Sequence, residues 1–213
     1  MLEFPSEGLI KNNFVKLKTP DSILEVDHYF LSNNEANILF DIIDEKVIWE
    51  QQEILFYGKY HNIPRLTAWY GDEKAAYKYS GILNIPLTPF VELQKLLLRV
   101  EKACGTKFNS VLLNKYRTGN DKVSWHSDNE KEFGVNPIIA SLSLGQERRF
   151  DIREIDYKDY HEDEKRIEHI PLNNGTLILM KGSFQHEWQH QIPVQKKLND
   201  PRINLTFRNV IYD

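Results

Sequence analysis

The chain has 213 residues, 41% of them hydrophobic, and a formal net charge of −4, enough for one sizeable domain with an ordinary core. No apolar run approaches the roughly 18–20 residues a membrane span needs. The start, MLEFPSEGLIKNNF, lacks the basic-then-apolar pattern of a signal peptide, and the single cysteine, Cys104, excludes an intramolecular disulfide and fits a reducing, intracellular compartment. The acidic balance argues against indiscriminate nucleic-acid binding, but it is uneven. Seven acids against three bases between Glu154 and Glu168 carry all of it. Cations group elsewhere (Lys115, Arg117, Lys122; Arg148, Arg149, Arg153; Lys196, Lys197, Arg202), so a locally basic face is open to the fold, although charge alone favours scattered surface cations.

Residues 1–20 are mixed and polar and are expected to be a loose arm. Residues 21–31 read as a strand and its exit. Ser32 and Glu35 form a capping-box pattern ahead of Ile38, Leu39, Ile42 and Ile43, which recur at helical spacing, so a helix is expected from about Asn33 to Glu45. Residues 47–60, rich in β-branched and aromatic types with Gly58 as a turn signal, read as a hairpin. Residues 61–81 are aromatic and loop-like. Thr88-Pro89 is expected to open a second helix with proline at its first position; Phe90, Leu93, Leu96, Leu97, Val100 and Cys104 form its apolar stripe, and Gly105 ends it. From Phe108 the pattern changes to short β segments at 108–116, 122–127, 137–144, 147–153, 166–170, 175–180, 186–192 and 202–211. Roughly eight strands so closely spaced fit a β-sandwich or jelly roll.

Two stretches carry chemistry. His126 and Asp128 stand two apart, which on an extended strand sends both to one face. The same rule puts Arg202, Asn204, Thr206 and Arg208 together, alternating with apolar Ile203, Leu205 and Phe207. Inward arginines are costly to desolvate unless they meet an anion, and two guanidinium forks suit a ligand with two carboxylates. His186 or His190, which share strand parity with Trp188, can complete a site with His126 and Asp128. Two histidines and one carboxylate leave positions open on non-haem Fe(II). Asn114 and Tyr116 share a face of another strand.

In this order, Asn-x-Tyr at 114–116, His-x-Asp at 126–128, a histidine, and Arg-x-Asn-x-x-x-Arg at 202–208 resemble the AlkB family of Fe(II)/2-oxoglutarate-dependent dioxygenases. The ending, from His190-Gln191-Ile192-Pro193-Val194 through Pro201 to Arg208, is especially similar to its DNA-repair branch. The similarity runs from about Ile54 to Arg208. It implies an α+β, β-dominated fold: a single domain over 1–213 with N-terminal helices, a double-stranded β-helix (jelly roll) core at 108–211 and a nucleotide-recognition lid within 47–81. It implies Fe(II) held by His126, Asp128 and His190, the spacing to the first arginine selecting His190. 2-Oxoglutarate would be held by Asn114, Tyr116, Arg202, Asn204 and Arg208, with O2 as the other co-substrate.

For the substrate, the stretch from Ile63-Pro64-Arg65 to Tyr77-Lys78-Tyr79-Ser80-Gly81 resembles the lid, with Arg65, Tyr77, Tyr79 and Ser80 at the base pocket. His186 fits a position near the base, and Tyr57 resembles an aromatic wedge at a hairpin tip. Asn129 stands where close relatives carry a second acid, so lesion preference does not transfer. The implied activity is oxidative demethylation of bases such as 1-methyladenine and 3-methylcytosine in DNA, duplex or single-stranded, by a monomer with no membrane partner. The alternatives are a demethylase of RNA or single strands, or a catalytically silent nucleic-acid-binding module.

Overall fold

Alternation of polar and apolar residues builds the molecule, because it gives each main strand one face for a helical layer and the other for a second sheet. The computed structural model describes residues 13–15, 21–56, 58–75, 77–79, 82–156 and 167–212, with side chains outside 13–15, 56, 77–79 and 82–84. In chain order the first half holds β1 (Asn13–Val15), β2 (Ser22–Asp27), α1 (Asn33–Lys46), β3 (Glu53–Phe56), β4 (Lys59–Asn62), β5 (Leu66–Gly71), β6 (Tyr77–Tyr79), β7 (Ile82–Asn84) and α2 (Val91–Cys104). The second half holds β8 (Ser110–Tyr116), β9 (Val123–His126), β10 (Ile139–Gly145), β11 (Arg148–Glu154), β12 (Glu168–Leu172), β13 (Leu177–Gly182), α3 (Phe184–Glu187), β14 (Trp188–Ile192) and β15 (Arg202–Arg208).

The strands form a seven-stranded sheet ordered β1-β2-β13-β10-β15-β8-β5, a four-stranded sheet ordered β12-β11-β14-β9, and the separate pairs β3-β4 and β6-β7. Two antiparallel sheets face to face with few helices are the jelly roll the strand spacing predicts. On one side of the large sheet, Leu113, Leu142, Ile203, Leu205 and Phe207 pack against Leu39 and Ile43 of α1 and Leu93, Leu96 and Val100 of α2. On the other, Val26, Tyr116, Ile139 and Ile178 meet Phe150, Ile152, Leu172 and Ile192 of the small sheet. Ile203, Leu205 and Phe207 are fully buried, each contributing about 1.5–3 kcal/mol over exposure. Their alternation leaves Arg202, Asn204, Thr206 and Arg208 pointing between the sheets.

The helices follow local signals. Ser32 Oγ accepts the Glu35 N–H while the Glu35 carboxylate accepts the Ser32 N–H, closing the capping box of α1. Lys115, on the helix side of β8, pairs with Asp44 of α1. The start of α2 differs from expectation: Phe90 is the extended cap residue and Val91 the first helical one. The first helical bond runs from the Gln94 N–H to the Phe90 carbonyl, and Pro89 lies outside, its carbonyl accepting from the Gln94 side chain at 2.7 Å. Gly105 ends α2 at φ +64°, a left-handed conformation that glycine adopts without cost.

Three further expectations are corrected. Asn13–Val15, inside the supposed loose arm, pairs with β2; the rest of residues 1–20 lies outside the described residues. Residues 61–81 are not loop throughout, since β5 pairs with β8 from Leu66–Lys115 to Gly71–Ser110. Thr67 and Trp69 alternate there with Ala68 and Tyr70, residues of similar hydropathy, so the period of two leaves no trace in the sequence. His186 is not on a strand: it belongs to the single turn α3, and β14 begins at Trp188. The hairpin holds, narrowed to β3 and β4, with Gly58 at φ +75° in its turn. No described helix is long and apolar enough to cross a membrane.

Candidate metal centre and anion cradle

β9 and β14 pair so that His126 and His190 are direct cross-strand partners, their ring centroids 4.2 Å apart. β9 stops at His126, and the chain then brings Asp128 beside the two rings. One ligand-type atom from each of His126, Asp128 and His190 lies within 4.8 Å of the others. The Ser124 carbonyl sits 2.8 Å from His126 Nδ1. It can only accept, so that nitrogen holds the proton and Nε2 keeps its lone pair for a cation. Burial, with His126 alongside, pushes His190 down to about 3, which keeps its imidazole neutral and able to donate to a metal. Phe150 and Phe184 wall it, with centroids 5.3 and 6.3 Å away. Burial works against ionisation of Asp128, but the Arg208 guanidinium, and behind it the two imidazoles, hold its carboxyl down at about 2.

Beside this centre lies a cradle of donors. Arg202 is 1% exposed, and burial lowers even its guanidinium to about 10. Its Nη2 donates to Ser143 Oγ at 2.8 Å, while its buried Nε and Nη1 have no hydrogen-bond partner among the described residues. The Tyr116 ring, cross-strand from Arg202, has the guanidiniums of Arg202 and Arg148 5.2 and 5.5 Å from its centroid. Asn204 donates to Ser141 Oγ at 2.6 Å and accepts from Thr206 at 3.0 Å. Its cross-strand partner Asn114 accepts from Arg65 Nε at 2.7 Å. Arginine has no acceptor, so Asn114 must turn its oxygen to Arg65 and its NH2 away. Arg208 stacks on Phe133 at 5.0 Å and donates to Asp128 Oδ1 at 2.8 Å.

These residues fit a metal and an anion. Two imidazoles and a carboxylate, converging without a fourth protein ligand among the described residues, suit Fe(II) with positions left open. Buried guanidinium N–H groups lacking partners carry a desolvation cost that a carboxylate removes. Arg202 and Arg208, at the two ends of one strand, suit a dicarboxylate such as 2-oxoglutarate.

The structure thus brings together His126, Asp128, His190, Asn114, Tyr116, Arg202, Asn204 and Arg208. It does not bring in His186, which is exposed and bonded through Nε2 to the Val135 carbonyl. Asn129 is exposed beside Asp128. Arg65 reaches the cradle through Asn114. Tyr77 and Tyr79 lie on β6, their side chains undescribed, and Tyr57 and Ser80 fall outside the described residues.

Sequence reasoning missed Ser141 and Ser143, although their alternation with apolar residues in IASLSLG carries a readable signal. It also missed Gln185, whose Oε1 accepts the Asp128 N–H at 2.9 Å and which no pattern announces. Of the clustered cations, three are engaged within the chain. Arg117 pairs with Asp121, Lys115 with Asp44, and buried Arg148 donates to the carbonyls of Thr118, Asp121 and Pro193.

The sequence profile of the 2OG-Fe(II) oxygenase superfamily matches residues 24–208. The chain is 40% identical over 188 residues to alpha-ketoglutarate-dependent dioxygenase alkB homolog 3 of Bos taurus, a match covering 86% of this chain and 65% of that protein. It is 33% identical over 181 residues to DNA oxidative demethylase ALKBH2 of Homo sapiens, covering 83% of this chain and 69% of that one. The chain therefore spans slightly less than two thirds of the alkB homolog 3 proteins it matches. Among solved structures, OsALKBH1 superposes with a TM-score of 0.64 at 14% identity, over 92% of this chain and 99% of that one. An oxidoreductase of the 2OG-Fe(II) oxygenase family from Burkholderia pseudomallei gives 0.54 at 11%, over 88% and 84%. At such identities the likeness is one of fold.

Proposed function

The chain belongs to the 2OG-Fe(II) oxygenase superfamily, in its AlkB family, and from that premise we propose that it is an oxidative demethylase of alkylated nucleobases in nucleic acid. The observation that carries the reading is the joining of a His126-Asp128-His190 cluster to a buried arginine cradle with unsatisfied N–H groups. His126, Asp128 and His190 hold Fe(II). Asn114, Tyr116, Arg202, Asn204 and Arg208 hold 2-oxoglutarate. When bound, these groups and O2 supply hydroxylation of an N-methyl group, which leaves as formaldehyde, while 2-oxoglutarate is converted to succinate and carbon dioxide.

The chain's own residues orient and shield. Tyr116, held by the guanidiniums of Arg148 and Arg202, sets one end of the cradle, and Arg208 sets the other while bracing Asp128. Phe133, Phe150 and Phe184 keep water from the charged groups, which strengthens every electrostatic contact among them. A methylated base stacked in a duplex is out of reach of this buried centre, so it must be extruded. 1-Methyladenine and 3-methylcytosine are proposed substrates because neither pairs normally, which lowers that cost. Tyr77 and Tyr79 are proposed to stack on the extruded base, with Arg65, Ser80, Asn129 and His186 around it.

The test is formaldehyde and succinate release, with Fe(II), 2-oxoglutarate and ascorbate, from a panel of methylated DNA and RNA oligonucleotides, single- and double-stranded. Turnover that depends on the methyl group is expected. 2-Oxoglutarate consumption with no nucleic acid dependence would remove the substrate assignment, and absence of any consumption would leave a binding module.

A further inference from the structure

We propose that Gln185 is a positioning residue for Asp128, and that the single-turn helix α3 is a buckle holding the carboxylate of the metal centre in place. The proposal rests on the metal reading above. His126 and His190 have their backbones fixed by the ladder between β9 and β14. Asp128 does not, because it stands two residues beyond the end of β9. Its backbone N–H donates instead to Gln185 Oε1 at 2.9 Å, with Asp128 5% and Gln185 0% exposed.

The amide can be read without ambiguity. A backbone N–H only donates, so Gln185 must present its oxygen to Asp128, and its NH2 then lies 3.5 Å from the Met180 thioether, a weak acceptor. The reversed amide would set two donors against each other in a buried site. Gln185 is held in turn from the large sheet. Glu187 Oε2 accepts from Ser183 Oγ at 2.9 Å and from Ser22 Oγ of β2 at 2.5 Å, and the Ser183 N–H donates to the Asp21 carbonyl at 3.1 Å. A continuous path of bonds therefore runs from β2 through α3 to the backbone of Asp128. Supporting partners of this kind typically change metal affinity about 10- to 100-fold when removed.

The experiment is Mn(II) titration of the full chain without 2-oxoglutarate, for the wild type, Gln185→Met and Gln185→Glu, together with melting of each apo form. Gln185→Met keeps volume and leaves only a weak thioether acceptor; it is expected to weaken Mn(II) binding about 10- to 100-fold with little change in apo melting. Gln185→Glu keeps an acceptor oxygen whether or not it is ionised and is expected to bind within about threefold of wild type. A folded Gln185→Met with wild-type affinity overturns the proposal. So does a folded Gln185→Glu that loses tenfold or more, which decides the matter even if Gln185→Met does not fold. A wild type that binds no Mn(II) sinks the metal reading itself, and with it this proposal.

Discussion

Arg208 donates an N–H to Asp128 across 2.8 Å, although the two are 80 residues apart in sequence. On the proposed reading, the strand that supplies the anion cradle thereby also steadies the metal centre, and its two arginines have different duties. Arg202→Ala is expected to weaken 2-oxoglutarate binding by about 1.5–3 kcal/mol, the scale of a charged hydrogen bond, and to leave Mn(II) affinity unchanged. Arg208→Ala is expected to weaken both. Calorimetric titration of each ligand on each variant separates them; equal profiles for the two variants would contradict the division.

The choice of histidine gives a second outcome. His190→Ala is expected to lose the metal with the fold retained, whereas His186→Ala, at an exposed turn, keeps it. Metal content after dialysis, with circular dichroism as the control, reads this directly, and the reverse result would move the ligand to α3.

Acid should destabilise the metal-free protein in two windows. His190 falls from an ordinary 6.5 to about 3 on folding, so the unfolded chain binds the extra proton between those values. The stability from the neutral buried ring is complete above about 6.5 and is lost as pH drops toward 3. Asp128 falls from 3.8 to about 2, so its contribution is lost below about 3.8. Melting against pH in the presence of a chelator should show the first slope, and His190→Leu should flatten it. An unflattened slope would mean that another group titrates there.

In the sequence Tyr57 directly precedes Gly58, and its part as a wedge is a proposal from the sequence resemblance. If its ring fills the gap left by an extruded base, it offsets part of an unstacking cost of a few kcal/mol that exists only in a duplex. Tyr57→Ala is then expected to slow single-turnover demethylation of double-stranded substrate much more than of single-stranded substrate, whereas Tyr79→Ala slows both. Equal losses for Tyr57→Ala would favour a single-strand enzyme.

The strands of the second half are legible because apolar Ile203, Leu205 and Phe207 alternate with polar neighbours between a helical layer and the space between the sheets. The same alternation exposed the cradle arginines. β5 escaped because Thr67 to Tyr70 carry little contrast between faces. The start of α2 was misplaced because Pro89 satisfies a positional preference that the backbone here meets one residue later, with Phe90 as cap. His-Glu-Trp-Gln-His has the parity of a strand, but the turn closed by Ser183 and Glu187 and anchored on Ser22 takes His186 off it. Gln185 was invisible for the same reason, since its role depends on a partner 57 positions away.

The position of β15 has a consequence for how the protein is made. It is the last of the described strands in the chain, yet it lies between β10 and β8 within the large sheet. A nascent chain emerging at about 5–20 residues per second therefore carries two half-sheets with an open seam between them until residues 202–208 leave the ribosome. His126, Asp128 and His190, and Gln185 behind Asp128, have all been synthesised by then, but Arg202 and Arg208 have not. On the proposed reading, closing the seam and completing the site are one event, so an unfinished chain would have little means of holding a redox-active iron in working order.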